Sequence, residues 1–318
     1  MNWKYKAFLQ QILSLKILSL IPFGEEINYW CQKKLTKSLP SDLSVFIKKI
    51  NEAEKHFEVF NKYNYCQKNG DTIFYEFGAG QDLMIPLIFY SFGISRQILT
   101  DIRSLARIEL INHTIKQFTK INSDNIKIKR MPSQYLDGKT KKECLSQLRQ
   151  YYGIEYLAPC DARNTHFESN SINFITSTNT LEHIPLQDTQ AILKECYRLL
   201  KPDGLISFII GYRDHYSFFD KSISVYNFLR YSDFIWKIFN PSLHYQNRLR
   251  HKDYQNLIKS AGFTILEEHP NKTTEDDIEK IKKINLAKIF KEKYKLDELI
   301  LQYSHLILGK EKISNKRD

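Results

Sequence analysis

Glu76-Phe77-Gly78-Ala79-Gly80 lies between an apolar run, Thr72 to Phe77, and a helical stretch from about Leu83 to Tyr90. A glycine turn between strand and helix lets backbone pass close to a ligand, because glycine lacks the Cβ that would block the approach. Such turns serve dinucleotides, other nucleosides or no ligand at all, so the acids that follow must decide. Asp101 ends the next apolar run, Gln97 to Thr100. A carboxylate there can accept hydrogen bonds from both hydroxyls of an adenosine ribose. A third run, Ile154 to Ala158, leads into Pro159-Cys160-Asp161-Ala162, where an acid is placed to hold an adenine amino group between apolar flanks. Three sites at successive strand ends point to a nucleoside-bearing ligand.

Elements that can position these residues follow from the spacing. Short apolar runs at Ile172 to Ser177 and Leu205 to Ile210 read as a fourth and a fifth strand. Helices fit between the strands at Ser104 to Lys120, Lys141 to Tyr151 and Leu186 to Leu200, the last ended by Lys201-Pro202-Asp203-Gly204. Strands alternating with helices predict βα units and a largely parallel sheet. A helix at His251 to Ala261, with Gly262 as its left-handed cap, precedes two final strands at Phe263 to Glu268 and Ser304 to Leu308.

In this order the motifs resemble the class I S-adenosylmethionine-dependent methyltransferases of the "methyltransferase type 11" kind, over residues 71–211. Glu76 to Gly80 looks like their first motif, Asp101 like their ribose-binding acid and Asp161-Ala162 like their adenine-binding pair. Thr178-Asn179-Thr180-Leu181-Glu182-His183-Ile184 resembles their segment after the fourth strand, and Leu199-Leu200-Lys201-Pro202-Asp203-Gly204 a further hallmark. The resemblance implies a Rossmann-like α/β fold with a largely parallel seven-stranded sheet and helices on both faces. It implies S-adenosyl-L-methionine as methyl donor, leaving S-adenosyl-L-homocysteine as product. It places Glu76, Gly78, Ala79, Gly80, Asp101, Ile102, Asp161, Ala162, Asn179 and His183 around that donor, and no metal is expected.

Two departures stand out. Gln81 occupies the place of a third glycine, and the segment between Asp101 and Ile154 is longer than in a minimal member. A nicotinamide dehydrogenase fits less well, because the full G-x-G-x-x-G and a hydride-transfer relay are both missing. Ser177-Thr178-Asn179-Thr180 also departs from the Asn/Asp-Pro-Pro-aromatic motif of nucleobase amino-group methylators.

A sulfonium methyl is already activated, so in-line positioning and water exclusion do most of the work, with a general base when the nucleophile is a hydroxyl. His215, in Arg213-Asp214-His215-Tyr216, is the expected base, oriented by Asp214; the alternative is packing among Tyr212, Tyr216, Phe218 and Phe219. Residues 212–250 are expected to form a lid over the acceptor. Tyr212 and Arg213 would contact it, and Arg248 or Arg250 would meet an anionic group on it. Tyr226, Phe228, Tyr231, Phe234, Trp236 and Phe239 are spaced as one helix face. The expected acceptor is a small molecule or saccharide, methylated on oxygen. An RNA methyltransferase and a non-catalytic S-adenosylmethionine-binding scaffold are the alternatives.

The net charge of +11 does not by itself mark a nucleic-acid binder, because many of the lysines fall between acids near Lys282, Lys283, Lys288, Lys291, Lys293 and Lys295. That pattern reads as a solvated helix face, and nucleic acid is disfavoured as a partner. The five cysteines are scattered and read as reduced thiols, consistent with a cytoplasmic location. Residues 1–69 read as a helical extension, with apolar positions at helical spacing from Phe8 through Ile21 and from Leu43 through Phe60. This extension would cover the main domain; peripheral membrane contact is the less favoured reading. Gln10, Gln11 and Lys16 interrupt the first stretch and argue against a signal peptide or a membrane span. Residues 70–318 form the second unit, with insertions near 104–153 and 212–250.

Overall fold

The computed structural model describes residues 16–63, 72–121 and 128–310. The start of the first helical stretch, at Phe8, lies outside the described residues, as does Cys66; Cys31, Cys144, Cys160 and Cys196 are free thiols.

Seven strands form one sheet in the order β3-β2-β1-β4-β5-β7-β6. They are β1 Phe74–Phe77, β2 Gln97–Thr100, β3 Ile154–Leu157, β4 Ile172–Thr178, β5 Leu200–Gly211, β6 Thr264–Pro270 and β7 Tyr303–Gly309. Strands β1 to β5 pair in parallel, whereas β7 runs antiparallel to both β5 and β6. The fold is thus the Rossmann-like α/β class expected from the sequence. Every residue of β1 and β4 is buried, as central strands covered on both faces require. Strand order reverses between β1 and β4. Their carboxyl ends therefore open a crevice where helices depart on opposite sides, the usual ligand position in such sheets.

The helices are α1 Gly24–Lys34, α2 Leu43–Lys62, α3 Met84–Ser91, α4 Ile108–Gln117, α5 Lys141–Tyr152, α6 Leu186–Leu199, α7 Tyr216–Phe219, α8 Asp233–Phe239, α9 His251–Ser260, α10 Glu275–Lys282, α11 Lys288–Lys293 and α12 Leu296–Ile300. Asp42 caps α2 by accepting from the Val45 amide, and Thr140 caps α5 through the Glu143 amide, each satisfying a first-turn donor. Gly153 ends α5 and Gly262 follows α9, both with positive φ, which glycine adopts without a Cβ penalty.

Helix α2 is part of the core. Phe46, Ile50, Ala53, Phe57 and Phe60 belong to the same buried cluster as Phe74 and Phe174 of the sheet and Phe89 of α3. His56 fixes the contact: its Nδ1 lies 2.7 Å from Ser207 Oγ on β5 and its Nε2 3.1 Å from Thr178 Oγ1 on β4. Helix α1 is held more loosely, with ion pairs from Glu25 to Arg103 and from Lys33 to Glu109. It leaves Phe23 and Trp30 exposed. No described helix is long and apolar enough to cross a membrane.

Two sequence expectations change. Lys201-Pro202-Asp203-Gly204 is not a free turn: β5 starts at Leu200, directly after α6, and its register with β4 shifts between Ile172 and Phe174 to absorb the irregular stretch. The aromatic series from Tyr226 to Phe239 is not one helix. Asn227–Arg230 is a 3-10 turn, Tyr231 is extended, and Ser232 caps a new helix, α8, through the Ile235 amide. Phe228 and Trp236 pack inward while Phe234 is exposed, so the helical spacing combined residues from two elements.

Candidate active site

A cavity of about 400 Å³ opens at the carboxyl ends of β1, β2 and β4. Its floor comes from the glycine turn. Gly78 has φ +72°, and a Cβ there would stand 2.2 Å from Thr180 Cγ2, so both backbone and space require glycine. The Gly78 amide donates to the Thr100 carbonyl at 2.8 Å and Thr180 Oγ1 donates to the Gly78 carbonyl at 3.2 Å, which ties the turn to β2 and to the loop after β4. Gly80 has φ +81°, and a Cβ there would meet nothing within 4 Å, so open cavity lies beside it.

Glu76 is buried at the end of β1, with Oε1 3.5 Å from Thr178 Oγ1 and Oε2 without a partner among the described residues. Burial pushes its carboxyl up to about 8. An orphaned buried carboxylate oxygen carries a desolvation cost that a cationic ligand would remove. Asp101 lines the cavity and accepts from Tyr156 OH at 2.9 Å. Its carboxyl is pushed up to about 7 by burial, against hydrogen bonds from Tyr156 and the Gly80 and Ala79 amides. Ile102 beside it is 63 % exposed, an apolar side chain on the cavity wall with no cover of its own.

Asp161 and Ala162 also line the cavity, but Asp161 is already engaged. Arg163 grips it through Nε and Nη2 at 2.6 to 3.0 Å and reaches Asp188 at 2.6 Å with Nη1. The Arg163 guanidinium holds the Asp161 carboxyl below its usual range. Sequence reasoning missed Arg163, although its place two residues after an expected ligand acid was a readable signal.

Asn179 sits in the left-handed region at φ +55°, a conformation asparagine tolerates better than most residues. Its Nδ2 donates to Glu52 Oε1 at 3.1 Å, so α2 of the amino-terminal region reaches the back of the site. His183 lines the cavity, with Nδ1 2.8 Å from the Tyr245 carbonyl. Glu182 beside it is buried.

On the acceptor side the structure revises several expectations. The cavity wall there is Ser242, Leu243, His244 and Tyr245, which the sequence reading did not single out. Tyr212, Arg213, Asp214, His215, Arg248 and Arg250 are not among the residues lining the cavity. Tyr212 is buried, its hydroxyl against Ser304 Oγ at 2.5 Å. Asp214 does not orient His215: its carboxylate accepts from the Tyr216 amide at 2.9 Å and from Asn227 Nδ2 at 3.1 Å. Arg213 lies over the Phe218 ring.

His215 stacks behind the wall, its ring centroid 4.7 Å from that of His183 and 6.0 Å from that of His244. Burial, then the charges of His183 and His244, push its imidazole down to about 2, which leaves it neutral and a poor base. Arg250 is completely buried: Nη1 donates to the Tyr212 carbonyl at 2.7 Å, and Nη2 to the Leu299 and Leu301 carbonyls at 2.6 and 2.5 Å. Arg248 donates to the Phe228 carbonyl at 2.9 Å and pairs with Asp233. Their Nη atoms are engaged by backbone carbonyls and by Asp233, and Arg250 Nε is buried without a partner among the described residues, so neither guanidinium faces the cavity. Neighbouring Asn247 clamps the loop after β4, its Nδ2 donating to the Leu181 and Ile184 carbonyls at 2.8 and 2.9 Å.

Residues 129–208, from before α5 into β5, match the family described as "Methyltransferase domain". No curated protein matches the sequence. Among solved structures, the chain is similar to the YcgJ protein of Bacillus subtilis, at 14% identity and TM-score 0.41, over 80% of this chain and 99% of that one. It is similar to geranyl diphosphate C-methyltransferase of Streptomyces coelicolor, at 12% identity and TM-score 0.44, over 86% and 85% of the two chains. It is also similar to phosphoethanolamine N-methyltransferase 2 of Haemonchus contortus in complex with S-adenosyl-L-methionine, at 15% identity and TM-score 0.42, over 82% and 52%.

Proposed function

We propose that this chain, an S-adenosylmethionine-dependent methyltransferase of class I, transfers the methyl group to a hydroxyl of a small molecule or glycan held against Ser242 to Tyr245. The observation that carries the donor half is a partnerless buried Glu76 oxygen at the end of β1, next to a cavity lined by Phe77, Gly78, Gly80 and Asp101; Glu76 and Ala79 are not themselves among the lining residues. In this reading Glu76 holds the donor's ammonium, Asp101 takes the ribose hydroxyls, and Ile102 and Ala162 flank the adenine. Asp161 reaches the adenine amino group while Arg163 fixes its orientation. Gly78, Ala79, Asn179 and His183 shape the space between. S-adenosylmethionine supplies a methyl group already activated on its sulfonium, so the protein's task is to align the acceptor and keep water out.

His244 takes the role that His215 cannot fill. What distinguishes it is geometry: it lines the cavity and its Nε2 is buried without a partner among the described residues, while burial pushes its imidazole down to about 4 and makes it a weak base too. It can accept the proton of an acceptor hydroxyl as the oxygen attacks. A small, uncharged or polyhydroxyl acceptor suits this wall better than RNA does. The charged residues on the cavity are Asp101, Arg103, Asp161, Arg163 and Asp188, with no lysine among them. The lysine-rich segment is paired elsewhere: Lys280 with Asp276, Lys283 with Glu279, Lys288 with Glu292 and Lys293 with Asp253.

Calorimetric titration with S-adenosylmethionine and S-adenosylhomocysteine tests the donor half; absence of binding at millimolar ligand sinks it. A hydroxyl-compound panel scored by S-adenosylhomocysteine release tests the acceptor half and separates an enzyme from a scaffold. With an acceptor in hand, His244→Ala lowers kcat by about 10²- to 10⁴-fold and leaves S-adenosylhomocysteine affinity in place. An unchanged kcat removes His244 from the reaction.

A further inference from the structure

We infer that Glu182, His183 and His215 form a binding site for one divalent transition-metal ion at the acceptor end of the cavity. Each offers one ligand atom, and these atoms all lie within 4.8 Å of one another. Ligands about 2.1 Å from a shared ion stand about 3 to 3.5 Å apart, so small side-chain rotations close the set. Glu182 is 2 % exposed; its Oε1 accepts from the Gly211 amide at 3.2 Å and its Oε2 has no partner among the described residues. A Cβ at Gly211 would stand 2.6 Å from Glu182 Oε1, so glycine at the end of β5 makes room for the carboxylate.

The histidines are arranged as ligands are. His183 Nδ1–H can donate to the Tyr245 carbonyl at 2.8 Å, which leaves the Nε2 lone pair for an ion; a backbone carbonyl on the second ring nitrogen is the usual support for a metal-bound imidazole. His215 makes no ring hydrogen bond to the described residues, yet its position is fixed by a backbone donation to Gln246 Oε1 at 3.1 Å. The loop that carries Glu182 and His183 is pinned by the Asn247 amide, which donates to the Glu182 carbonyl at 2.7 Å. Two imidazoles and one carboxylate select Fe(II), Co(II) or Zn(II) over Mg(II) or Ca(II), and three protein ligands leave coordination positions open. His183 belongs to the cavity wall, so the open side adjoins the acceptor space.

The role of the ion rests on the O-methylation reading above. It would take the acceptor hydroxyl as a ligand and lower its pKa, the proton leaving to His244 or solvent. The oxygen lone pair then forms the C–O bond while the C–S bond breaks and its electron pair stays on sulfur, so atoms and charge balance.

The test uses untagged full-length protein, freed of metal with a chelator and titrated with Co(II) under visible absorption and with Zn(II) by calorimetry. One equivalent is expected at micromolar Kd or tighter, with Co(II) bands of a nitrogen–oxygen site. His215→Ala and Glu182→Gln should each weaken binding at least 100-fold while retaining S-adenosylhomocysteine affinity within about threefold, which certifies the fold. Less than a fifth of an equivalent bound by the parent protein, or unchanged Co(II) affinity in both folded variants, overturns the site. Failure of the parent protein to bind Co(II), with its S-adenosylhomocysteine binding intact, refutes the ion alone. Co(II) binding without S-adenosylhomocysteine binding refutes the methyltransfer reading instead.

Discussion

The donor half of the cavity and the insertion over residues 212–250 use the same kinds of side chain to opposite ends. Around the glycine turn, groups are left incomplete: the polar Glu76 Oε2 lacks a partner and the apolar Ile102 is uncovered. In the insertion, polar groups are for the most part consumed: Arg250 fills three backbone carbonyls, Arg248 two more and an acid, and Asn247 clamps a loop. Unmet valence marks a ligand site and satisfied valence marks a scaffold. The exceptions within the insertion are Arg213 Nε, His244 Nε2 and Arg250 Nε, buried without a partner among the described residues, and the His215 ring.

This contrast can be broken most directly at Arg250. Arg250→Ala strands three buried carbonyls and should cost about 3 to 5 kcal/mol in denaturant unfolding; a cost below about 1 kcal/mol would mean that the insertion is not built around it. On the donor side, Asp101→Ala should weaken S-adenosylhomocysteine at least about 10²-fold, since two charge-assisted hydrogen bonds are lost at about 1.5 to 3 kcal/mol each. Unchanged affinity would show the ribose acid to be misassigned.

A smaller effect concerns protons. The folded Glu76 and Asp101 carboxyls, at about 8 and about 7, lie above their ordinary values of 4.5 and 3.8. Raised carboxyls favour the protonated folded state, so their contribution to the ligand-free protein is full below about pH 4 and is lost as pH rises through 7 to 8. A ligand ammonium beside Glu76 reverses that preference, so binding near pH 7 should release about one proton. Calorimetry in buffers of different ionisation enthalpy reads it, and zero release would place the ammonium elsewhere. The smallest change is expected at the rim, where Arg163→Ala should leave the denaturant midpoint nearly unchanged, because its pairs with Asp161 and Asp188 are part-exposed and screened by solvent. A large fall in that midpoint would erase the distinction between rim and insertion.

The sequence by itself determined the sheet, the glycine turn and the acids at successive strand ends. Those features are local: a strand, a positive-φ glycine and the next residue are set by a few neighbouring side chains, and the strand period repeats every second residue. It also placed α2 in a helix, since the apolar spacing from Leu43 through Phe60 is read along the chain. Only the tertiary structure decided that α2 joins the core through His56 and supports Asn179 through Glu52. It alone decided that Arg248 and Arg250 face carbonyls rather than solvent and that His244 replaces His215 at the cavity. A guanidinium or an imidazole is equally at home binding a ligand or bracing a loop, and which one it does depends on groups that fold back from distant parts of the chain. Arg250 meets Leu299 and Leu301 across the fold, and Glu182 meets His215 only because β4 and β5 are neighbours in the sheet.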